Sequence, residues 1–476
     1  MEFIQILDAD IRPGGLVEWV PSVPGGLGSW HRDPRPTSHN HEQHLRAALE
    51  YRERTRRAGG RESWLGLTAE FDEPMSVPAV RATVIAWINR HEVLRTHVVV
   101  DDTTEPDGTV RTGTARYTTD PGTVKVTMSR IGWYAQTPIL LEQIAGSFDR
   151  VTAPLHWPAY RFATVARADS FTLLFAADHS LVDGYSLVTA HHELRELYRA
   201  HRDRRAPELR STGSYIDFSG SERVAADDAD ERHTAVAVWD EFLAGGGLPR
   251  FEPIPAPVPA ELSPASERGP AQLSITSMLL DDDATRSFES VCTARGGSLI
   301  GGLLALLAIV YRHQSGAETM RTVMPRHTRQ HARLHTALGW FVGLAPISID
   351  VADDPDFATA LDRAMLALDR TRSGASLPLV RLSQLLGFSP EPRFVVSFMD
   401  TRMVPASDIA DDGGARALRS HSYADDEVYI WFNRTPTGLR LHCRYPGDAP
   451  GHAHSPVLQA FFQEFAALLA STPTVG

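Results

Sequence analysis

The segment AADHSLVDGYS, residues 176–186, brings together the residue types that proton-transfer chemistry uses. An apolar run ends there at Asp178 and His179, and Asp183 and Gly184 follow shortly after. An imidazole has an ordinary pKa of about 6.5, so it can take up a proton at neutral pH and return it. A positioned base of this kind contributes about 10²- to 10⁴-fold to a rate. His179 is therefore either the base of a catalytic site or part of a solvated turn.

The residues before His179 decide which way its side chain points. The segment FTLLFAADH, residues 171–179, has the composition of a β-strand, and side chains alternate between the two faces of a strand. His179 and Asp178 then lie on opposite faces. Both faces are largely apolar, so we predict a strand that is buried on both sides. A backbone carbonyl is the expected partner of the imidazole, because Asp178 points away from it.

Asp183 and Gly184 are expected to shape the turn that follows this strand. A carboxylate inside a protein needs a partner, and arginine is the usual one. We therefore predict a structural role for Asp183. Gly184 would permit backbone angles that are closed to other residues, or the close approach of a substrate.

Helix-like and strand-like segments alternate along the chain. Apolar residues recur at helical spacing in AVRATVIAWINRHEVLRTH and in SLVTAHHELRELYRAHRD, and β-branched or aromatic runs occur between and after them. A segment rich in proline and glycine precedes residue 270. We predict an N-terminal lobe over residues 1–215 that carries His179, a crossover and linker over 216–270, and a C-terminal lobe over 271–476. Both lobes are expected to be α/β, of the α+β kind.

The composition disfavours several classes of protein. A formal net charge of −12 does not favour a nucleic-acid binder. The 2 cysteines are too few for a disulfide scaffold or a cysteine metal cluster. The start, MEFIQILDADIR, has acidic residues where a signal peptide would be basic, and the most apolar run, residues 299–311, is too short to span a bilayer. We expect a cytoplasmic protein with no membrane span.

Three other segments suggest binding sites, but each has a structural explanation that we favour. HNHEQH, residues 39–44, lacks the H-E-x-x-H spacing of a metal site, and a helix start capped by Thr37 or Ser38 is expected instead. HHELRE, residues 191–196, is expected on a solvated or interlobe helix face. GGSLIGG, residues 296–302, lacks the lysine of a phosphate loop and is expected to pack at a helix start. No metal site is predicted.

The segment DHSLVDG resembles the H-H-x-x-x-D-G signature of the condensation-domain superfamily. That superfamily includes nonribosomal peptide condensation domains, chloramphenicol acetyltransferase relatives and polyketide-associated acyltransferases. Further segments resemble it in the same order: INRHEVLRTHV, GSYIDFSG with AVWDEFLAGG, VMPRHTRQ, GWFVGLAPISI and RFVVSFMD. The chain is most similar to free-standing actinobacterial acyltransferases of the polyketide-associated type and to stand-alone condensation enzymes.

The resemblance implies two chloramphenicol-acetyltransferase-like lobes that form a V-shaped pseudo-dimer with a central tunnel, with His179 at its middle. An acyl thioester would enter from one side, carried by the phosphopantetheine arm of an acyl or peptidyl carrier protein or by coenzyme A. A small-molecule acceptor would enter from the other. His179 would take the acceptor's proton as it attacks the thioester, and would then protonate the departing thiolate or an intermediate. Neither a bound cofactor nor a covalent enzyme intermediate is implied.

The resemblance also implies an ion pair between Asp183 and an arginine of the second lobe's loop. Arg329 is the candidate and Arg326 the alternative. Two positions depart from the family pattern: Asp178 replaces the first histidine, and Gly343 replaces the asparagine of G-x-F-V-N. The second departure favours ester formation over peptide bond formation.

Four further residues complete the predicted site. Ser397 is either a donor to the developing oxyanion or a small residue needed for packing. Trp340 is expected to line the tunnel or pack beneath it, and Tyr185 and Ser186 to touch the acceptor.

Three functions are compatible with these features. The first is acyl transfer to a hydroxyl group, giving an ester in natural-product or complex-lipid biosynthesis. The second is amide formation in nonribosomal peptide synthesis. The third is a catalytically silent domain that recruits a partner, which the presence of His179, Asp183 and Gly184 disfavours.

Overall fold

A computed structural model describes most of the chain as two compact units. The described residues are 1–55, 63–104, 110–254, 271–370, 372–404, 407–412, 415–420, 426–448 and 453–472. The first unit comprises Met1–Asp228, Arg329–Phe341 and Arg402–His421, and the second comprises Ala229–Thr328, Val342–Thr401 and Ser422–Gly476. Each unit therefore contains segments that are distant in the sequence.

The strands fall into one three-stranded, one six-stranded and one seven-stranded sheet. In chain order they are β1 (Glu2–Gln5), β2 (Gly14–Ser22), β3 (His31–Asp33), β4 (Trp64–Phe71), β5 (Thr96–Thr104), β6 (Val110–Thr118), β7 (Lys125–Tyr134), β8 (Tyr160–Ala166), β9 (Phe171–Asp178), β10 (Gln272–Asp281), β11 (Thr319–His327), β12 (Val342–Asp350), β13 (Phe394–Asp400), β14 (Arg416–Arg419), β15 (Val428–Thr435) and β16 (Gly438–Pro446).

Helices lie between many of these strands. In chain order they are α1 (His39–Thr55), α2 (Val77–Arg90), α3 (Thr137–Val151), α4 (Gly184–Asp203), α5 (Tyr215–Asp227), α6 (Thr234–Ala244), α7 (Asp282–Ala294), α8 (Leu299–Ser315), α9 (Phe357–Arg370), α10 (Leu379–Leu386), α11 (Ser407–Asp412) and α12 (His454–Ser471). Short 3₁₀ segments occur at Ile6–Asp8, Gly26–Ser29, Glu92–Arg95, Ala332–Leu334 and Arg372–Ser376. The predicted mixed class of helices and sheets is confirmed.

The first unit is built on the seven-stranded sheet, in the order β1-β14-β4-β9-β8-β2-β7. β9 lies at its centre and pairs antiparallel with β4 on one side and β8 on the other. Every residue of β9 is buried, as its two apolar faces predict. The strand is thus held on both edges, and His179 is the first residue after it.

Different helices cover the two faces of β9. Phe171, Phe175 and Ala177 belong to a core that includes buried residues of α2 and α4. Leu174 and Ala176 belong to another core, shared with α3. Full burial of a phenylalanine side chain contributes about 1.5–3 kcal/mol. Packing on both faces therefore fixes the position at which the strand ends.

The second unit is built on the six-stranded sheet, in the order β10-β16-β15-β13-β11-β12. α8 contributes a nearly continuous set of buried residues to its core, as expected for the most apolar run of the chain. Among the described helices, none is by itself long and apolar enough to cross a bilayer. α7 and α8 meet those criteria only as a pair, which is bent by 89°.

The glycine-rich and first histidine-rich segments are helix starts, as predicted. α1 begins at His39, and the hydroxyl of Ser38 accepts a hydrogen bond from the N–H of His41. α8 begins after Ser298, whose hydroxyl accepts from the N–H of Gly301. A Cβ atom on Gly302 would lie 2.4 Å from the sulfur of Cys292, so packing explains this glycine.

The prediction of a solvated or interlobe face for residues 191–196 is wrong for three of them, His191, Glu193 and Leu194, which are buried. His191 is fully buried in α4. Glu193 is also buried, and its carboxylate accepts hydrogen bonds from Trp87, Arg90 and His91. The many polar residues of this segment suggested an exposed face, but this turn of α4 packs against α2.

The predicted crossover and linker, residues 216–270, contains most of α5 and all of α6. Residues 255–270 of the proline-rich part lie outside the described residues.

Candidate active site

His179 lies where β9 leaves the core of the first unit. Its backbone N–H donates to the carbonyl of Ser63 at 3.1 Å, which continues the pairing of β9 with β4. In the turn that follows, the N–H of Leu181 donates to the carbonyl of Asp178 at 2.9 Å. The N–H of Ser180 donates to Oδ1 of Asp178, also at 2.9 Å. These bonds fix the backbone that presents His179.

Only part of the His179 side chain is accessible. The residue is half-buried, whereas all of β9 is buried. Its Nδ1 is buried and makes no hydrogen bond of good geometry to any residue in the described stretches. The backbone carbonyl of His179 itself still favours a proton on the ring. Nε2 is therefore the nitrogen that remains for a substrate.

The surroundings of His179 favour its neutral form. Burial lowers the pKa of the imidazole below its usual value, and the charge of His44 lowers that pKa further, although the ring's own backbone carbonyl acts in the opposite direction. A neutral imidazole at physiological pH is the state that a general base requires.

The indole of Trp340 packs against the imidazole of His179. The two ring centroids are 4.8 Å apart and the planes are inclined by 42°. Trp340 is partly exposed and belongs, like His179, to the first unit. The sequence placed Trp340 near the chemistry, and the geometry puts its ring in contact with the candidate base.

Asp183 is buried and joined to Arg329 through two hydrogen bonds. Nη1 of Arg329 donates to Oδ2 at 2.7 Å and Nη2 donates to Oδ1 at 2.9 Å. Burial alone would raise the pKa of Asp183, but the charge and hydrogen bonds of Arg329, together with hydrogen bonds from Ser186, lower it. The N–H of Phe341 donates to Oδ2 at 3.1 Å. Arg329, and not the alternative Arg326, is therefore the partner of Asp183.

The same carboxylate also begins α4. Asp183 is the N-cap of this helix, and its Oδ1 accepts from both the N–H and the hydroxyl of Ser186, each at 2.8 Å. The hydroxyl of Ser186 also accepts from Arg329 at 3.0 Å. Ser186 is fully buried, so the predicted contact between its side chain and the acceptor is wrong. It holds the Asp183–Arg329 pair instead.

Gly184 and Tyr185 are the first two residues of α4. Gly184 is the first residue of α4 and has no positive φ angle, so the expectation of a special backbone conformation is wrong. A Cβ atom there would lie 3.6 Å from the ring of Phe3, an ordinary contact. Tyr185 is partly exposed, and the guanidinium of Arg329 lies 4.6 Å from its ring centroid. A contact between Tyr185 and the acceptor remains a prediction.

The carboxylate of Asp178 forms a hydrogen bond with a different histidine, His44, and not with His179. Nε2 of His44, on α1, lies 3.0 Å from its carboxylate. The hydroxyl of Ser63 donates to the same group at 2.8 Å. From the sequence, His44 was predicted only as part of a helix start and not as a site residue. The signal that could have found it is the helical spacing of three and four residues between buried positions of α1, since His44 lies three residues after the buried His41 and next to the buried Leu45.

Ser397 and Gly343 lie in the second unit. Ser397 is a partly exposed residue of β13 and pairs in register with Trp431 of β15. Gly343, in β12, approaches the chain so closely that a Cβ atom would lie 2.3 Å from the carbonyl oxygen of Ala375. Packing therefore explains why glycine, and not the family's asparagine, occupies position 343. The role of Ser397 remains a prediction.

No group of three or more histidine, cysteine, aspartate or glutamate side chains among the described residues is arranged to hold a metal ion.

The fold and the arrangement around His179 define a condensation-domain protein. The sequence model of the condensation domain matches residues 61–396. The chain belongs to this family.

The named relatives are acyltransferases of mycobacteria. Acyltransferase PapA3 of Mycobacterium tuberculosis is 28% identical over 416 residues, which cover 83% of this chain and 82% of the relative. The trehalose-2-sulfate acyltransferase PapA2 of Mycobacterium bovis is 26% identical, over 88% of this chain and 89% of the relative.

Solved structures share the fold. A PapA2 acyl transferase superimposes with a TM-score of 0.83 over 99% of both chains, at 22% identity. The first condensation domain of the calcium-dependent antibiotic synthetase superimposes with a TM-score of 0.65, over 94% of this chain and 98% of that one, at 18% identity. The comparisons confirm the predicted family, fold class and reaction class: the chain is an acyltransferase.

Proposed function

We propose that this protein transfers an acyl group from a thioester to a hydroxyl group and that His179 is the general base. The supporting observation is a half-buried imidazole whose buried Nδ1 leaves Nε2 as the reactive nitrogen and whose environment favours the neutral ring. Because the ring is neutral near pH 7, it can accept a proton from an alcohol during the attack.

The reaction balances with a single proton. Nε2 of His179 removes the hydroxyl proton as the acceptor oxygen forms a bond to the thioester carbonyl carbon. The tetrahedral intermediate then collapses, the carbon–sulfur bond breaks, and the imidazolium returns the proton to the departing thiolate. The products are an ester and a free thiol. Each transfer therefore regenerates neutral His179.

The acyl donor is proposed to be a thioester on the phosphopantetheine arm of an acyl or peptidyl carrier protein, or on coenzyme A. The proposed acceptor is a small molecule with hydroxyl groups. One of the named relatives, PapA2, carries a trehalose derivative in its name, so a sugar is the first acceptor to test. We also propose a cytoplasmic location, because the 2 cysteines of the chain indicate no need for an oxidising compartment.

Three further residues are proposed to act on the substrates. Ser397 donates to the developing oxyanion, and Tyr185, with the neighbouring Gly184, contacts the acceptor. The product is proposed to be an ester and not an amide, because Gly343 stands where the condensation-domain pattern has an asparagine.

The experiment offers the protein both donor types and both acceptor types. Acyl-loaded carrier protein and acyl-coenzyme A are incubated with trehalose and, separately, with an amino sugar, and intact-mass measurement follows loss of the acyl group and formation of the product. We expect an ester with the wild type and a rate lower by about 10²- to 10⁴-fold with His179→Ala. The control is His31→Ala, which changes a histidine that is 66% exposed at the surface of the same unit.

Three results would contradict the proposal in different ways. Equal rates for wild type and His179→Ala would remove His179 from its role. An amide with the amino sugar, and no ester with trehalose or other alcohols, would favour peptide-type condensation. Absence of transfer from every thioester would favour the recruiting domain.

A further inference from the structure

A second histidine reaches the end of β9 from a distant part of the chain. His44 places its Nε2 3.0 Å from the carboxylate of Asp178, whose side chain is 1% exposed. Hydrogen bonds from the Ser63 hydroxyl, at 2.8 Å, and the Ser180 N–H, at 2.9 Å, complete the surroundings of this carboxylate. The residue that replaces the first histidine of the motif thus binds a histidine of its own.

Trp340 brings His44 and His179 together. Its indole centroid lies 5.8 Å from that of His44, with an interplanar angle of 83°, and 4.8 Å from that of His179. Both imidazoles therefore contact one aromatic ring in the first unit. The side chain of His44 is 19% exposed, so it is held mainly by protein groups.

The two imidazoles have opposite preferences for a proton. Burial would lower the pKa of His44, but the charge and the hydrogen bond of Asp178 raise it. Burial would raise the pKa of Asp178, but the charge and hydrogen bonds around it lower that pKa to about 2. His179 has a lowered pKa for the reasons already given. Neighbouring groups whose pKa values are driven apart in this way divide the charged and neutral roles between them.

We propose that His44 is a second functional histidine of this site: a positively charged positioning residue, held by Asp178, that keeps the imidazole of His179 neutral and available as the base. This proposal rests on the proposed function of His179. His44 acts through His179 and Asp178, and it is not assigned a contact with substrate. Trp340 keeps the two rings at a fixed separation, so the charge of His44 acts on His179 over a defined distance.

The other titratable groups around the two histidines do not reverse this effect. The charge of Asp178 raises the pKa of His179, but it acts less strongly than the charge of His44, which lowers that pKa. His41, one turn before His44 on α1, is held neutral because burial lowers its pKa to about 3, and the charge of Arg116 acts in the same direction. Asp183 faces His179, but its charge is compensated by Arg329.

A buried His–Asp pair could also serve only to tie α1 to β9. Removal of such a pair would lower stability and would lower the rate equally at every pH. A charge that acts on His179 has a different signature, because it moves the pKa of that residue. The pKa of His179 therefore decides between the two roles.

The experiment measures that pKa in two ways. ¹⁵N-histidine NMR titrations give the pKa of each imidazole without any substrate, with the His179 signals assigned from their loss in His179→Gln. In the pH dependence of kcat/KM for acyl transfer, the midpoint of the acidic limb gives the pKa of the base in the free enzyme. The variants are His44→Gln, Asp178→Asn, their combination, and His31→Gln as the control. His31 also lies near an aspartate, 3.5 Å from Asp120, but both side chains are largely exposed.

The contacts of both rings with Trp340 place the two imidazole centroids no more than about 11 Å apart. A charge at such a distance shifts a pKa by about one unit in a protein environment, so we expect His44→Gln to raise the pKa of His179 by about that much. At pH values below the pKa of His179, kcat/KM of His44→Gln should then be about tenfold lower than that of wild type. At higher pH the two values should be equal. In Asp178→Asn and in the double variant, His179 loses both neighbouring charges, since His44 without its carboxylate becomes neutral. The pKa of His179 in both should lie between those of wild type and His44→Gln, and His31→Gln should match wild type.

If the pKa of His179 is the same in His44→Gln as in wild type, the proposal is overturned. It is also overturned if His44 of the wild type loses its proton below pH 6.5, because His44 would then carry no charge at neutral pH. If His44→Gln does not fold, the wild-type titration of His44 and the Asp178→Asn variant decide the question. A wild-type rate in His179→Ala would refute the proposed function, and the NMR titration would still show separately whether His44 sets the pKa of His179.

Discussion

Replacement of Asp183 by alanine should damage the stability of the first unit. The carboxylate receives hydrogen bonds from Arg329, from Phe341 and from both the N–H and the hydroxyl of Ser186. Alanine removes all of these acceptors at once. It also leaves the guanidinium of Arg329, whose side chain is 1% exposed, as a buried charge without its carboxylate.

The size of this effect follows from the burial of the pair. Breaking a buried ion pair by removing one partner costs about 3–5 kcal/mol. Loss of the helix N-cap of α4 adds up to about 1 kcal/mol. For a unit of this size, 1 kcal/mol shifts the melting temperature by about 2–4 °C, so Tm should fall by roughly 6–24 °C.

Thermal unfolding followed by circular dichroism measures this shift. Asp353→Ala is a matched control, since Asp353 binds Arg363 through two hydrogen bonds of the same lengths, 2.7 and 2.9 Å, but is largely exposed. We expect no measurable shift in Tm for the control. Asp183→Asn should be intermediate, because its amide oxygen can still accept from the N–H of Ser186.

The difference between wild type and Asp183→Ala should depend on pH. The pKa of folded Asp183 is lowered, so its contribution to stability is complete above the ordinary carboxyl pKa of about 3.9 and is lost as the pH falls through the folded value. The two proteins should therefore converge in stability under strongly acidic conditions. A folded Asp183→Ala protein with the Tm of wild type at pH 7 would show that the Asp183–Arg329 pair does not stabilise the first unit.

Three further predictions concern the chemistry and the second unit. Ser397→Ala should lower kcat by about 10²- to 10³-fold without a change in Tm if its hydroxyl stabilises the oxyanion; a stability loss with unchanged kcat would show a packing role. Gly343→Asn should lower the free energy of unfolding, measured in urea, by about 1–3 kcal/mol, because its Cβ would overlap the carbonyl of Ala375. Gly247→Ala, which has open space, should not. The acidic limb of kcat/KM should lie below pH 6.5, because the pKa of His179 is lowered; a limb above pH 7 would contradict that.

The sequence was sufficient for the features that are set locally. The apolar run before His179 predicted a buried strand, and β9 is buried along its whole length. The helix start near His39, with a cap at Thr37 or Ser38, was also predicted, since capping depends on residues a few positions apart, and the structure shows Ser38 in this role.

Contacts between distant segments were harder to predict. His44 and Asp178 are 134 residues apart, and no local pattern links them. Arg329 was found only through the family resemblance. The hydroxyl of Ser186 was misassigned because its burial depends on how the segment 329–341 covers the start of α4. In each case the deciding contact forms only after the strands have paired and the helices have packed.

The central claim is that His179 is the base of acyl transfer, and the ratio of kcat/KM between wild type and His179→Ala tests it most directly. The measurement uses a single acyl thioester and a single alcohol at pH 7.5, with Tm recorded for both proteins. We predict a loss of about 10²- to 10⁴-fold with little change in Tm. A folded His179→Ala protein that transfers the acyl group at the wild-type rate would show that His179 is not the base.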